Sequence, residues 1–441
     1  MHASKWTAVV ALATAAGLAR AQTIPVVDLP PAKVRTTQPL GAVLSVRQLA
    51  GGKVLVDDAG SRRLALFDST LSTSTTVLDS ASGGSNSYGR RPIPLVGYLG
   101  DSSLFADLNS KTVLVIDPNG RVARALAMPS GSSPSDLLNR STGVDNKGGI
   151  VYVDSRRGRP KIVRPGVAGF DDSVTVMRAD LEARRVDSIG RISRPLAKAT
   201  APTKAPNGTT YTMFAIDPIK TVDEVAVLSD GSVALVRGQD YHIDWIRPDG
   251  RTESSPKMPF DWKRLTDEDK QRLIDSTRAA QNALLAADKL ESEITMMTRG
   301  DPTGGPPPGA SGSGRAGGRG DGGGRGQDPD ADRLSEFGRG YSPRTAEVIP
   351  LSEIADYYPS IRPGAAMPDL DGHLWILPTT SKQSRHGELV YDVVNTKGEI
   401  FERVRLPLGR LVAGFGKGGV VYMTAGDKAN GFILERTRLP R

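Results

Sequence analysis

The chain has 441 residues, no cysteine and a formal net charge of +8. Without cysteine there is no disulfide, no thiolate metal site, no cysteine nucleophile and no lipidated cysteine. The positive charge is carried by scattered arginines and aromatics are only 5% of the chain, so it reads as a solvated basic surface rather than a nucleic-acid footprint.

Lys5, the apolar run from Trp6 to Leu18 and the small residues of Ala19-Arg20-Ala21 form a secretory signal. Residues 1–21 are therefore expected to be removed near Ala21, which places the mature chain in the periplasm or the medium. No later stretch is apolar enough to span a bilayer, so no membrane span is expected. The length exceeds that of an ordinary single domain, but repeat folds grow by adding units.

Tight-turn residues followed by a β-branched and aromatic run recur six times. The copies are Gly51-Gly52 before Val54-Leu55-Val56, Gly100-Asp101 before Leu104-Phe105-Ala106, and Gly148-Gly149 before Ile150-Val151-Tyr152-Val153. They continue with Asp230-Gly231 before Val233-Ala234-Leu235-Val236, Asp371-Gly372 before Leu374-Trp375-Ile376-Leu377, and Gly418-Gly419 before Val420-Val421-Tyr422-Met423. The first three and the last two are each spaced by roughly 50 residues, within the range of four-stranded propeller blades. A second strand follows each copy: Arg63 to Asp68, Val113 to Asp117, Ser173 to Met177, His242 to Ile246, Leu389 to Val394 and Phe432 to Arg436. The expected fold is thus all-β, a six-bladed β-propeller. Its sixth blade runs out of chain, so an N-terminal strand must close it, and the unassigned segment Ile24 to Leu29 is expected in that role, with Pro25 suited to an edge.

Val54-Leu55-Val56-Asp57-Asp58 through Arg63-Leu64-Ala65-Leu66-Phe67-Asp68 resembles an NHL-type repeat: a strand, an acidic loop, an arginine before the next strand, then an aromatic. The copy at Leu104 to Asp107 keeps the acidic residue but has Lys111-Thr112 where arginine is expected, and Asp371-Gly372-His373-Leu374-Trp375 has a form common in such propellers. The resemblance is to NHL-like six-bladed propellers of exported bacterial type. It implies the fold and a tendency to bind ligands or partners, and it transfers no catalytic residue.

The two longer gaps, between the third and fourth and between the fourth and fifth copies, must hold insertions, and the second is the larger. The pattern predicts a helix within Trp262 to Arg299, N-capped at Thr266, with an apolar stripe of Leu273, Ile274, Leu284, Leu285, Leu290 and Ile294 that packs on the parent fold. Residues 300–340 are rich in Gly, Pro, Asp and Arg and cannot bury enough apolar surface to order themselves, so a disordered loop is expected. The organisation read from the sequence is a signal at 1–21, the closing strand and blades 1–4 over 22–257, a helical insertion over 258–299, the Gly-rich loop, and blades 5–6 over 341–441.

The search for chemistry finds little. His242, His373 and His386 have no metal-like spacing, and there is no nucleophile-elbow motif. Asp57, Asp58, Asp107 and Asp154 each end a second strand, so they are placed on one face of the disc, where carboxylates can bind a divalent cation or bond the backbone of their own loops. Arg62, Arg156, Arg157 and Arg237 leave the same strands, and Tyr358 and Arg362 precede the fifth copy, which makes that face a candidate surface for an anion or an acidic partner. These residues favour an exported, non-catalytic binding or scaffold protein of the cell envelope over an enzyme. It would act as a monomer on an unidentified protein or small molecule, without a cofactor. The alternative is a lactonase-like, metal-assisted hydrolase or lyase, which alone would call for calcium.

Overall fold

Runs such as Val54–Val56, Ile150–Val153 and Val233–Val236 are apolar at successive rather than alternate positions, which suits strands covered on both faces. A computed structural model shows these residues buried, each run lying in the second strand of an antiparallel meander. The structure describes residues 24–440 apart from 82–86, 90–93, 108–111, 128–136, 139–141, 155–160, 165–166, 170–171, 196, 200–202, 205–209, 212–213, 299–345, 381–383, 385–386 and 428. The signal expected at 1–21, the Gly-rich loop at 300–340, and Arg156 and Arg157 lie outside the described residues.

Six meanders form a six-bladed propeller. Blade 1 comprises Val43–Gln48, Val54–Asp58, Arg63–Phe67 and Ser74–Asp79. Blade 2 comprises Val96–Gly97, Ser103–Asp107, Thr112–Ile116 and Val122–Ala127. Blade 3 has Gly143–Val144, Ile150–Val153, Ser173–Asp180 and Arg185–Ser193. Blade 4 has Glu224–Val227, Val233–Arg237, His242–Ile246 and Thr252–Ser254. Blade 5 has Ala366–Pro368, Leu374–Ile376, Val390–Val394 and Ile400–Arg405, and blade 6 has Leu411–Gly416, Val420–Asp427 and Gly431–Arg438.

The period-2 alternation of each strand sends neighbouring side chains to opposite blades. Val54 and Val56 pack with Val420 and Tyr422 of blade 6, whereas Leu55 packs with Phe105 and Leu114 of blade 2. The same division repeats around the ring, so that each junction between blades holds its own apolar cluster.

In a meander the turns joining strands 1 to 2 and 3 to 4 fall on one face of the disc, here called the turn face. The strand 2 to 3 loops and the blade-to-blade connections fall on the other, the loop face. The turns are built by side-chain capping: Asp145 Oδ1 accepts the Lys147 and Gly149 amides at 2.9 and 2.8 Å, and Asp369 Oδ1 accepts those of Asp371 and His373 at 2.9 and 2.8 Å. Gly148 and Gly372 supply the left-handed residue that these turns require, with φ of 86° and 88°.

Two connections on the loop face are long. Lys198–Ala199, Phe214–Ile216 and Glu347–Val348 form a small sheet that packs with the helix Asp267–Thr298 around Ile219, Leu265, Ile274 and Ile354. The helix starts at Asp267, directly after the expected N-cap. Thr266 caps it reciprocally with Asp269: Thr266 Oγ1 accepts the Asp269 amide and Asp269 Oδ2 accepts the Thr266 amide, both at 3.1 Å. Only the first turns of the expected stripe pack on the fold, since Leu284 and Leu285 are exposed; the side chains of Leu290 and Ile294 lie outside the described residues.

An N-terminal strand does close the ring, but it is Val34–Arg35, antiparallel to Gly431–Arg438. The segment Ile24 to Leu29, expected in that place, contributes Val26–Asp28, which runs parallel to Ile400–Arg405 as a fifth strand of blade 5. Its apolar residues explain the difference: Val27 and Leu29 pack into the cluster between blades 5 and 6. The closing segment is held instead by backbone bonds between Leu40 and Phe432 at 2.7 and 2.8 Å and by Thr36 Oγ1, which accepts the Leu434 amide at 3.1 Å. Leu40 is buried beside Leu434 at this closure, so Leu40→Ala is expected to lower unfolding stability by about 2–5 kcal/mol, measured by urea denaturation.

Candidate functional site

The innermost strands of the six blades converge on a central channel of about 770 Å³ that continues to their first turns and so reaches the turn face. Crowding at this convergence selects glycine. A Cβ on Gly414 would lie 2.5 Å from the Val46 carbonyl oxygen of blade 1, and one on Gly143 would lie 2.5 Å from the Val227 side chain of blade 4. The channel wall combines apolar side chains, among them Val96, Val144 and Phe415, with a few polar ones.

Asp101, Asp145, Asp369 and Lys417 line this wall, and so does Arg47, on the inner strand of blade 1. Its Nε donates to Ser103 Oγ at 3.4 Å and its Nη2 to the Ser102 carbonyl at 3.2 Å, so it reaches across to blade 2. Burial pushes the pKa of this guanidinium down, and Asp101 offsets part of that effect. The other carboxylates on the wall are committed. Asp145 pairs with Arg178 at 3.0 Å, and Asp369 accepts His373 Nδ1 and Trp375 Nε1 at 2.9 and 3.1 Å.

The residues expected to form a surface on the loop face are distributed over it. In blade 1, Asp57 and Asp58 are fully buried. Asp58 Oδ1 accepts the amides of Gly41, Ala42 and Ser61 at 2.9, 3.0 and 3.2 Å, and Oδ2 accepts Arg63 Nε at 3.3 Å. Asp57 Oδ1 accepts the Tyr88 hydroxyl, while its Oδ2 has no partner among the described residues. Arg62, at φ 50°, donates to the Tyr88 carbonyl at 3.3 Å.

In blade 4, Arg237 is a three-way staple. It donates to Asp244 and Asp223, both at 2.8 Å, and to the Arg191 carbonyl at 3.0 Å. Tyr358 is half-buried under the Lys263 ammonium, 5.6 Å from its ring centre. Arg362 is exposed and lines a separate cavity of about 440 Å³ with Thr379, Ser384 and Glu388. Asp154 is half-buried just past the second strand of blade 3. Asp107 ends the second strand of blade 2, and its side chain lies outside the described residues. Among the described residues no hydrogen bond or ion pair joins the blade 1 group, the Arg237 staple and Arg362, and no three His, Asp or Glu groups cluster in a metal-ligating arrangement.

No protein-family model matches the chain. No match is found among curated proteins either. Solved structures with a similar fold include a member of the DUF4221 family from Bacteroides vulgatus, at 10% identity over 92% of this chain and 96% of that one, with a TM-score of 0.44. The selenomethionine form of virginiamycin B lyase from Staphylococcus aureus matches at 9% identity over 92% and 88% of the two chains, with a TM-score of 0.33. A luciferin-regenerating enzyme matches at 8% over 92% and 94%, with a TM-score of 0.36. At such identities the likeness is one of fold alone.

Burial pushes the Asp57 carboxyl up to about 7; the Tyr88 hydrogen bond opposes the shift and the nearby Asp58 adds to it. The folded state therefore holds a proton that the unfolded chain releases near pH 4, so this residue's contribution to stability falls as pH rises between about 4 and 7 and is level above that. Asp57→Asn keeps an acceptor for Tyr88 and removes the titration. The variant is expected to gain in Tm relative to the parent across that window and to remain more stable at pH 8, as read from paired thermal melts.

Proposed function

We propose that this chain is an exported, non-catalytic binding protein of the cell envelope that takes its ligand into the central channel. The observation that carries this reading is a cavity walled by all six blades, open at the turn face and within the roughly 300–1,000 Å³ typical of small-molecule sites. The loop-face groups support it by being engaged in architecture: Asp58 already accepts four donors and Arg237 already makes three bonds. The metal-assisted hydrolase or lyase reading would need the same acids to converge on an ion.

Native mass spectrometry of the full chain isolated from its own cell envelope tests the proposal. Ser229 is exposed at the channel mouth, and Ser229→Trp is expected to abolish a small-molecule adduct carried by the parent while leaving the melting temperature unchanged. An adduct that persists in Ser229→Trp overturns the channel site. Stoichiometric calcium or zinc by elemental analysis, with a melting temperature that rises on metal addition, overturns the non-catalytic reading in favour of the alternative.

A further inference from the structure

Most half-buried arginines in this protein are built with carboxylate partners, whereas Arg62 and Arg436 donate to the carbonyls of Tyr88 and Ser69. Arg63, Arg178, Arg194, Arg237, Arg403 and Arg410 each meet a carboxylate oxygen at 2.7–3.3 Å. Arg47 also lacks such a partner, and unlike Arg62 and Arg436 it lines the channel. Its two hydrogen bonds, at 3.4 and 3.2 Å, go to neutral oxygens, and among the described residues no carboxylate lies within 4 Å of it. Two bonds leave three of the five guanidinium N–H groups without a protein acceptor among the described residues.

The wall beside Arg47 leaves room for its guanidinium. The neighbouring inner strand has Gly97, and a Cβ there would lie 2.3 Å from Nη1 and 2.8 Å from Cζ. The guanidinium thus occupies the place of the missing side chain, at the surface of the channel, which Arg47 and Gly97 both line. A cation partly removed from water and lacking a counter-charge gains most from a bound oxyanion, which its planar fork can hold through two parallel bonds. The channel wall also offers the apolar side chains of Val96, Val144, Val227, Met367 and Phe415, and a second cation, Lys417. Asp101 lines the same channel and acts on Arg47 electrostatically without touching it, and its negative charge disfavours a dianion.

We infer that the channel is a seat for a monocarboxylate carried on an apolar body, anchored by the Arg47 guanidinium. The inference rests on the channel being the binding site. Benzoate is a suitable probe, with benzamide as its neutral counterpart and inorganic phosphate as the dianion, titrated calorimetrically into the full chain at fixed ionic strength.

Benzoate is expected to bind at one site, at least about tenfold more tightly than benzamide or phosphate, with Arg47→Met removing that preference. Arg47→Lys is expected to restore part of it, because the charge returns without the fork. Gly97→Ala keeps the charge but pushes the guanidinium out of its place, and is expected to weaken benzoate while leaving benzamide unchanged. Absence of benzoate binding, equal affinity for benzoate and benzamide, or full benzoate affinity in both Arg47→Met and Gly97→Ala overturns the inference. Equal affinities that are lost in Ser229→Trp overturn only the anion anchor, whereas binding that survives Ser229→Trp overturns the channel site itself.

Discussion

Every blade of this protein must be covered on both faces, and only a closed ring provides that cover. A four-stranded sheet with one exposed apolar face would be an aggregation hazard, and here each sheet has two such faces, each filled by the neighbouring blade. Burial of this kind grows with the number of blades, which lets a chain without a single cysteine dispense with covalent staples. It also explains why several charged residues of the interior sit at strand ends, as Asp58, Glu224 and Arg237 do. There they bond loops and neighbouring strands without interrupting the apolar layers.

The same closure creates the channel. Blades packed side by side around an axis bring six inner strands into a space too narrow for ordinary side chains at every position, and glycine at 97, 143 and 414 lets them pass. Where one strand carries glycine, the adjacent strand can project a long side chain into the vacated volume, as Arg47 does over Gly97. The chemistry of the wall is therefore a by-product of the packing problem, and a substitution at either member of the pair acts on both stability and binding.

How much of this is legible in the sequence follows from where the apolar residues sit. Second and third strands such as Ile150–Val153 and His242–Ile246 are long, doubly covered and preceded by capped turns, and they stand out. The inner strands of blades 2 and 3 do not. Val96–Gly97 and Gly143–Val144 are two residues long and carry glycine, so they have neither a run nor an alternation to detect. Arg47 is hidden for a different reason: its strand, Val43–Gln48, is six residues long, but a single arginine in it acquires meaning only when Gly97 is placed against it. The closing strand misleads differently, because Val27 and Leu29 make the wrong segment look like the better strand, while the true one is Val34–Arg35, whose hold on blade 6 comes largely from backbone bonds. The loop-face acids were readable as a set by position, yet their donors, such as the Gly41 and Ala42 amides, are supplied by tertiary contacts that no local pattern encodes.

The seam between the chain ends has a consequence in time. Thr36 and Leu434 are bonded across 398 residues of sequence, so the closing strand, which precedes all six blades, must wait for the last of them before it has a partner. Local meanders can form blade by blade as the chain emerges, but the ring cannot. Until the final hairpin arrives, the growing arc carries two uncovered apolar faces, one at blade 1 and one at the newest blade, each an open invitation to another copy. Contacts of such long range are slow to make. The rate of the last closure, more than the stability of any one blade, therefore sets how long each newly made molecule remains vulnerable.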